Sequence, residues 1–209
     1  MTEAQKVWQF IKEFQDAWYE IAVVVWGWNI YRGSKLIAAG ISPSDSHSMS
    51  MLSTVFNAVT LKNILQKLHI KVVVLDALHV EFLENYTSEK WKKYLWNKKV
   101  VICSSWIGNP FFTTDTTWVL RALELQCEAV VKLTKVNGVY DKDPLKFDDA
   151  IYFSHISYND FITKDLQVFD TTGVILARDN GLPIFVSKID DRDALKNILE
   201  WKPAGSKIF

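Results

Sequence analysis

The sequence predicts an α/β fold, with a mostly parallel sheet and helices on both faces, built as a single domain over residues 1–209. Three observations predict it. Short β-branched runs alternate along the chain with longer stretches of helical period. The run from Ile21 to Val25 is continuously apolar, as in a strand covered on both faces. The turns after Val25, Cys103 and Leu133 all fall at strand carboxyl ends, where ligands bind in such sheets. With 209 residues, 49% of them hydrophobic and 23% charged, the chain can bury one substantial core.

Taken in order, Val7, Phe10, Ile11, Phe14 and Ala17 recur at helical spacing, and the strand of residues 21–25 follows. Met49, Leu52, Val55, Phe56, Val59, Leu61, Ile64, Leu65 and Leu68 predict a long amphipathic helix with these residues on its core face. Next come a strand over 71–75, a weaker region to Tyr86, a helix over 88–95 and a buried strand ending at Cys103. Thr114, Asp115 and Thr116 then open a helix that runs to Gln126. A strand over 129–133 leads into a loop from Asn137 to Asp149, rich in Gly, Pro and Asp. Helices over 158–162 and 168–180, a strand over 183–187, a helix over 191–199 and a short terminal strand complete the chain. Asp170 reads as an N-cap within this last part.

Composition excludes several functions. Lys plus Arg equals Asp plus Glu, 24 against 24, so no global positive field recruits nucleic acid or an anionic membrane. The basic cluster of Lys90, Lys92, Lys93, Lys98 and Lys99 reads as a solvated helix face. Two cysteines, Cys103 and Cys127, make neither a disulfide framework nor a zinc site, and no metal-ligating residue is assigned. No apolar run approaches the roughly 20 residues a membrane span needs, and the N-terminus lacks a secretory pattern, so a cytoplasmic protein is expected.

The most informative stretch is Ile107-Gly108-Asn109-Pro110-Phe111-Phe112-Thr113-Thr114-Asp115-Thr116, which joins a strand end to a helix start. Free backbone N–H groups and hydroxyls at such a junction bind anions, although Asn, Pro and Thr-Asp also build ordinary turns and caps. The paired Phe111 and Phe112 in a polar turn favour a wall for a base. Ten consecutive residues here agree almost completely with the uridylate-binding loop of bacterial UMP kinases, members of the amino-acid kinase superfamily, which the motif resembles. The likeness continues in Ala22 to Gly33 (AVVVWGWNIYRG, similar to the family's AVVVGGGNIFRG) and in Val130 to Pro144, which resembles the family's ATP-holding KATKVDGVYxxDP segment. It extends through residues 165–186.

The resemblance implies the amino-acid kinase fold, a three-layer αβα sandwich with a mostly parallel central sheet. It also implies transfer of the γ-phosphoryl group of ATP to UMP, with Mg²⁺ accompanying ATP. Gly27, His47 and the loop residues Ile107, Gly108, Asn109, Pro110, Phe111, Phe112, Thr113 and Thr114 are then expected to hold UMP. Trp28, Arg32, Thr134, Tyr140 and Asp143 are expected to contact ATP. Arg32, Asp115 and Lys132 are the candidate catalytic residues: Arg32 bridging phosphates through its planar fork, Asp115 capping its helix or orienting cationic groups, Lys132 neutralising phosphate charge together with Lys135. A homohexamer activated by GTP and inhibited by UTP is implied as well. The competing expectation is a catalytically impaired nucleotide-binding homologue or assembly subunit.

Three departures from the family pattern motivate that alternative. The family opens with a strand and turn reading like KLSGE that supplies a phosphate-binding lysine; this chain opens inside the following helix, so the first strand is expected to be missing and the domain N-terminally incomplete. His47 stands where the family has aspartate. Trp18, Trp26, Trp28 and Trp106 stand where it has glycine or another small residue, and nine Trp beside eight Gly is unusual. Turns that need positive φ or close backbone approach suit glycine and exclude an indole. A glycine-meaning codon written as tryptophan, most simply UGA, one base from GGA, would account for these positions and would extend to Trp118 and Trp201.

Overall fold

The computed structural model describes residues 3–209, with side chains described from Trp8 onwards. Two compact units are present, one of residues 8–117 and one of residues 118–209 together with the beginning of the chain. Val7 of the first predicted helix therefore lies outside the described side chains.

The 8–117 unit follows the predicted alternation. Helix α1 (Glu3–Asp16) leads to β1 (Ala22–Val24), α2 (Gly33–Ala38), α3 (Pro43–Lys67), β2 (Val72–Asp76), β3 (Glu84–Asn85), α4 (Ser88–Trp96) and β4 (Val100–Ser104). The sheet runs β1-β4-β2-β3 and every pairing is parallel, with Val24 and Leu75 both registered on Cys103, and Asp76 on Ser104. Parallel register brings the carboxyl ends of β1, β2 and β4 side by side. β2 and β4 are buried, as their unbroken apolar runs require. β1 is an edge strand and only half-buried, so the expectation that it is covered on both faces is corrected.

Helix α3 begins six residues before the apolar pattern does. Ser42 caps it by accepting the N–H of Asp45, Pro43 sits at its first position, and Asp45 adds favourable negative charge in the first turn. Its core face also differs from the expectation. Ser46, Ser50, Ser53 and Thr54 are buried beside Met51, Val55, Ala58 and Leu65, whereas Leu52 and Phe56 are exposed. The buried hydroxyls return their hydrogen bonds to backbone carbonyls, Ser50 to Ser46 O at 2.8 Å and Thr54 to Met51 O at 2.7 Å, which is why they tolerate burial. Helix α2, six residues without a buried side chain, had no periodic signal to reveal it.

Helix α5 (Thr114–Leu125) starts in the first unit and ends in the second. The 118–209 unit continues with β5 (Val130–Thr134), β6 (Val139–Tyr140), β7 (Tyr152–Phe153), β8 (His155–Ile156), α6 (Tyr158–Thr163), α7 (Thr171–Asn180), β9 (Ile184–Lys188), α8 (Arg192–Leu199) and β10 (Ser206–Ile208). Its sheet runs β5-β9-β10-β8, parallel except for β9 with β10, and β6, within the loop predicted over 137–149, pairs antiparallel with β7, which follows that loop. Val119, Val139, Phe161, Val174, Ile184, Val186 and Ile208 form a core without solvent access. Asp170 caps α7 by accepting the N–H of Thr172, as predicted; the cap also explains why α7 starts at Thr171 rather than Val168. Tyr158 is buried, its hydroxyl donating to Leu182 O at 2.6 Å, and burial raises its phenol above the usual range.

Candidate nucleotide site

Within the first unit, the loop from β4 to α5 is held in an unfavourable backbone path. Ser105, Trp106, Gly108 and Phe111 all have positive φ, at 63°, 51°, 83° and 70°. Only Gly108 does so without steric cost, and there is a second reason for glycine at 108: a Cβ would lie 2.7 Å from the carbonyl oxygen of Ala77. Such a path persists only where its surroundings over-determine it.

Three anchors do so. The first is Asp76, fully buried at the end of β2. Its Oδ1 accepts the hydroxyls of Ser104 at 2.8 Å and Ser105 at 2.5 Å, and its Oδ2 accepts the N–H groups of Leu78 at 2.9 Å and Val80 at 3.0 Å. One carboxylate thus ties the turn after β2 to the turn after β4. The second is Thr54 on α3, whose hydroxyl oxygen accepts the N–H of Ser105 at 2.7 Å. The third is His47, one turn into α3. Its Nδ1 accepts the N–H of Phe111 at 2.8 Å, and its ring meets Phe111 edge-on at 5.2 Å and Trp106 at 6.3 Å. Acceptance at Nδ1 places the imidazole proton on Nε2.

Beyond the loop, Thr113 Oγ1 accepts the N–H of Thr116 at 3.2 Å and so holds the cap position of α5. Asp115 lies inside the first turn, so the capping role expected for it belongs to Thr113. Phe111 and Phe112 remain exposed on the loop, while Thr114 is buried.

The same helix α3 holds the turn after β1. Ser53 donates to Gly27 O at 3.2 Å, and Asn57 donates to Trp26 O at 2.5 Å and to Asn29 Oδ1 at 2.7 Å. A side chain at Gly27 would collide with Ser53, its Cβ only 1.8 Å from the hydroxyl. Gly33 packs against Ser46, Ser50 and the His47 ring. Between them Trp28 is exposed, with the Arg32 guanidinium 5.4 Å over its ring, and Arg32 stands at the N-cap of α2 without a side-chain cap bond. Gly27 and Phe111 of the 107–114 loop are thus tied to Ser53 and His47 of α3, and Gly33, next to Arg32, accepts the Ser46 hydroxyl.

The other candidates lie in the second unit. Thr134 closes the turn after β5 by accepting the N–H of Val136 at 2.9 Å. Asp143 organises the following loop, its Oδ1 accepting Leu145 N–H at 3.0 Å. Tyr140 sits in the β6–β7 hairpin, its ring centroid 5.3 Å from that of Tyr152. The Lys132 ammonium rests over Trp118 at 5.2 Å and Phe169 at 5.1 Å.

The anchors Ser53, Thr54, Asn57, Asp76, Ser104 and Ser105 were not among the expected residues. One signal was readable: Ser46, Ser50 and Ser53 recur at helical spacing.

A parallel α/β unit with structured loops at its strand carboxyl ends places those loops where α/β proteins bind their ligands. The chain belongs to the amino acid kinase family, whose model matches residues 2–188. It is 42% identical over 193 residues to the uridylate kinase of Rickettsia felis, covering 92% of this chain and 80% of that one. To the uridylate kinase of Rickettsia typhi it is 41% identical over 199 residues, covering 95% and 82%. Among solved structures, the UMP kinase from Bacillus anthracis superposes with a TM-score of 0.93 at 28% identity, covering 98% of this chain and 85% of that one. The UMP kinase from Ureaplasma parvum gives 0.90 at 28% identity, covering 98% and 88%.

Proposed function

We propose that the chain is a UMP kinase, transferring the γ-phosphoryl group of ATP to UMP to give UDP in pyrimidine nucleotide synthesis. The observation that carries this is the anchored loop of residues 104–113. Asp76, Thr54 and His47 hold it through hydrogen bonds from distant elements, which fixes the position of its backbone donors and two exposed phenylalanines. Residues 1–209 are read as one amino-acid kinase domain, supported by a family match that runs through both units.

Phosphoryl transfer needs little covalent help; it needs donor and acceptor aligned and the charge on the transferring oxygens offset. In this reading Gly27, His47 and residues 107–114 hold UMP, with the first turn of α5 facing phosphate and the phenylalanines walling the base. Trp28, Arg32, Thr134, Tyr140 and Asp143 contact ATP. Arg32 bridges phosphates, Asp115 orients cationic groups, and Lys132 adds positive charge. Among the described residues no group of three or more His, Cys, Asp or Glu could hold a metal ion. In this reading Mg²⁺ enters with ATP, bound chiefly through phosphate oxygens and water, where it would neutralise charge on the triphosphate.

The exposed i, i+4 pair Leu52 and Phe56 on α3 supports assembly into a homohexamer, since large apolar side chains so placed gain from a partner surface. GTP activation and UTP inhibition complete the proposal. A cytoplasmic site of action belongs to the same reading; no described helix is long and apolar enough to cross a membrane.

Turnover of UMP, CMP and glutamate with ATP and Mg²⁺ tests the reading. Phosphorylation of UMP well above the other two is expected, and equal or absent turnover of all three would end it. His47 gives a sharper check. His47→Ala removes the acceptor for the Phe111 N–H and should raise the KM for UMP about tenfold with a smaller change in kcat, the loss of one hydrogen bond at a strained residue. His47→Asn, which can still accept, should recover part of it. An unchanged KM in both variants would remove His47 from the site.

A further inference from the structure

The backbone separates the tryptophans into two populations, and we infer that the native polypeptide carries glycine at positions 18, 106 and 201. Three of the nine tryptophans, Trp18, Trp106 and Trp201, have positive φ, at 70°, 51° and 57°, against seven among the other described non-glycine residues together. The left-handed region places Cβ against the following carbonyl, and a bulky side chain there is an outlier. The other seven are His69, His79, Lys98, Ser105, Phe111, Gln126 and Asp165, mostly flexible or small polar residues.

Local hydrogen bonding shows what two of the positions are. Trp18 N–H donates to Gln15 O at 3.0 Å and Tyr19 N–H to Phe14 O at 3.0 Å, closing α1. Trp201 N–H donates to Ile198 O at 3.0 Å and Lys202 N–H to Asn197 O at 2.8 Å, closing α8. Both are the paired bonds of a Schellman terminus, whose left-handed residue is usually glycine. Gly181 holds the same place after α7, and His69, Lys98, Gln126 and Asp165 hold it after α3, α4, α5 and α6 with the same paired bonds, so what sets positions 18 and 201 apart is a bulky indole where the other helices end on glycine or a flexible or polar side chain. Trp18 is 74% exposed, so little burial compensates for its conformation, while Trp201 is 52% exposed and meets Phe185 edge-on at 5.7 Å. Trp106 lies in the strained loop beside His47, where glycine would open space next to the Phe111 anchor. Trp91 is the contrast: helical, fully buried and edge-on to Tyr86 at 5.4 Å, it is a core tryptophan. One codon that the source cell decodes as glycine, distinct from the codon at 91, accounts for all three positions.

Peptide mass spectrometry of the protein isolated from its source organism is the test. Glycine at 18, 106 and 201 with tryptophan at 91 is expected; any other residue at one of the three overturns the inference. A recombinant chain with Trp18→Gly and Trp201→Gly provides a physical check on the chain as written. Its Tm should rise by about 2–4 °C per site, because a left-handed residue loses its Cβ conflict. A Tm that stays level or falls would overturn the backbone argument.

Discussion

Replacing Asp76 by alanine will cost about 3–5 kcal/mol of folding stability, measured as a shift in the urea unfolding midpoint followed by circular dichroism. The carboxylate is fully buried and accepts four hydrogen bonds, from Ser104, Ser105, Leu78 and Val80. Alanine leaves two hydroxyls and two backbone N–H groups without their acceptor in a dry interior, and each such group retains its desolvation cost. Against a typical total of about 5–15 kcal/mol, that loss is large. Asp76→Asn keeps one accepting oxygen but turns two donors toward existing donors, so it should fall between wild type and alanine. The same variants should weaken UMP binding, because Ser104 and Ser105 begin the loop that ends at Phe111. A cost under about 1 kcal/mol for Asp76→Ala would mean that something else holds the loop.

Arg32→Ala is the variant expected to strike turnover hardest, lowering kcat by about 10²–10³-fold, the usual effect of removing one preorganised donor to developing charge. Stability should hardly change. Arg32 is exposed, makes no cap bond to α2, and touches the equally exposed Trp28. Arg32→Lys should recover only part of the rate, since a single ammonium cannot reproduce a planar two-pronged contact to phosphate. A kcat within threefold of wild type for Arg32→Ala would exclude it from the phosphate machinery.

The strands and helices with strong periodicity were legible because burial imposes that periodicity directly. β2, β4, α4 and α8 lie within a residue or two of their predicted ends. Legibility failed where burial was polar or partial. On α3 the apolar pattern rightly included Val55 and Leu65 but also pointed to Leu52 and Phe56, which are exposed, while a Ser/Thr stripe shares the buried side, since hydroxyls that bond carbonyls of their own helix pack as small groups. β1 read as a covered strand from its composition, but strand order, which placed it at an edge, depends on pairings distant in sequence. The 107–116 motif was readable as a site because Asn-Pro-Phe-Phe-Thr-Thr-Asp is informative by itself. What holds it was not, because Asp76 and His47 lie 29 and 64 residues away from Ser105 and Phe111.

The order of residues alone determined the class of fold, the positions of the loops at strand carboxyl ends, and which loop carries the phenylalanine pair, because each rests on local periodicity and turn chemistry. Tertiary structure alone decided that a carboxylate on β2 and two side chains of α3 hold that loop in its left-handed path. It also supplied the positive φ of Trp18, Trp106 and Trp201, three positions that the sequence had already set against glycine. Hydrogen bonds between distant segments and the sign of φ are properties of the folded chain, and no local pattern of side chains encodes them.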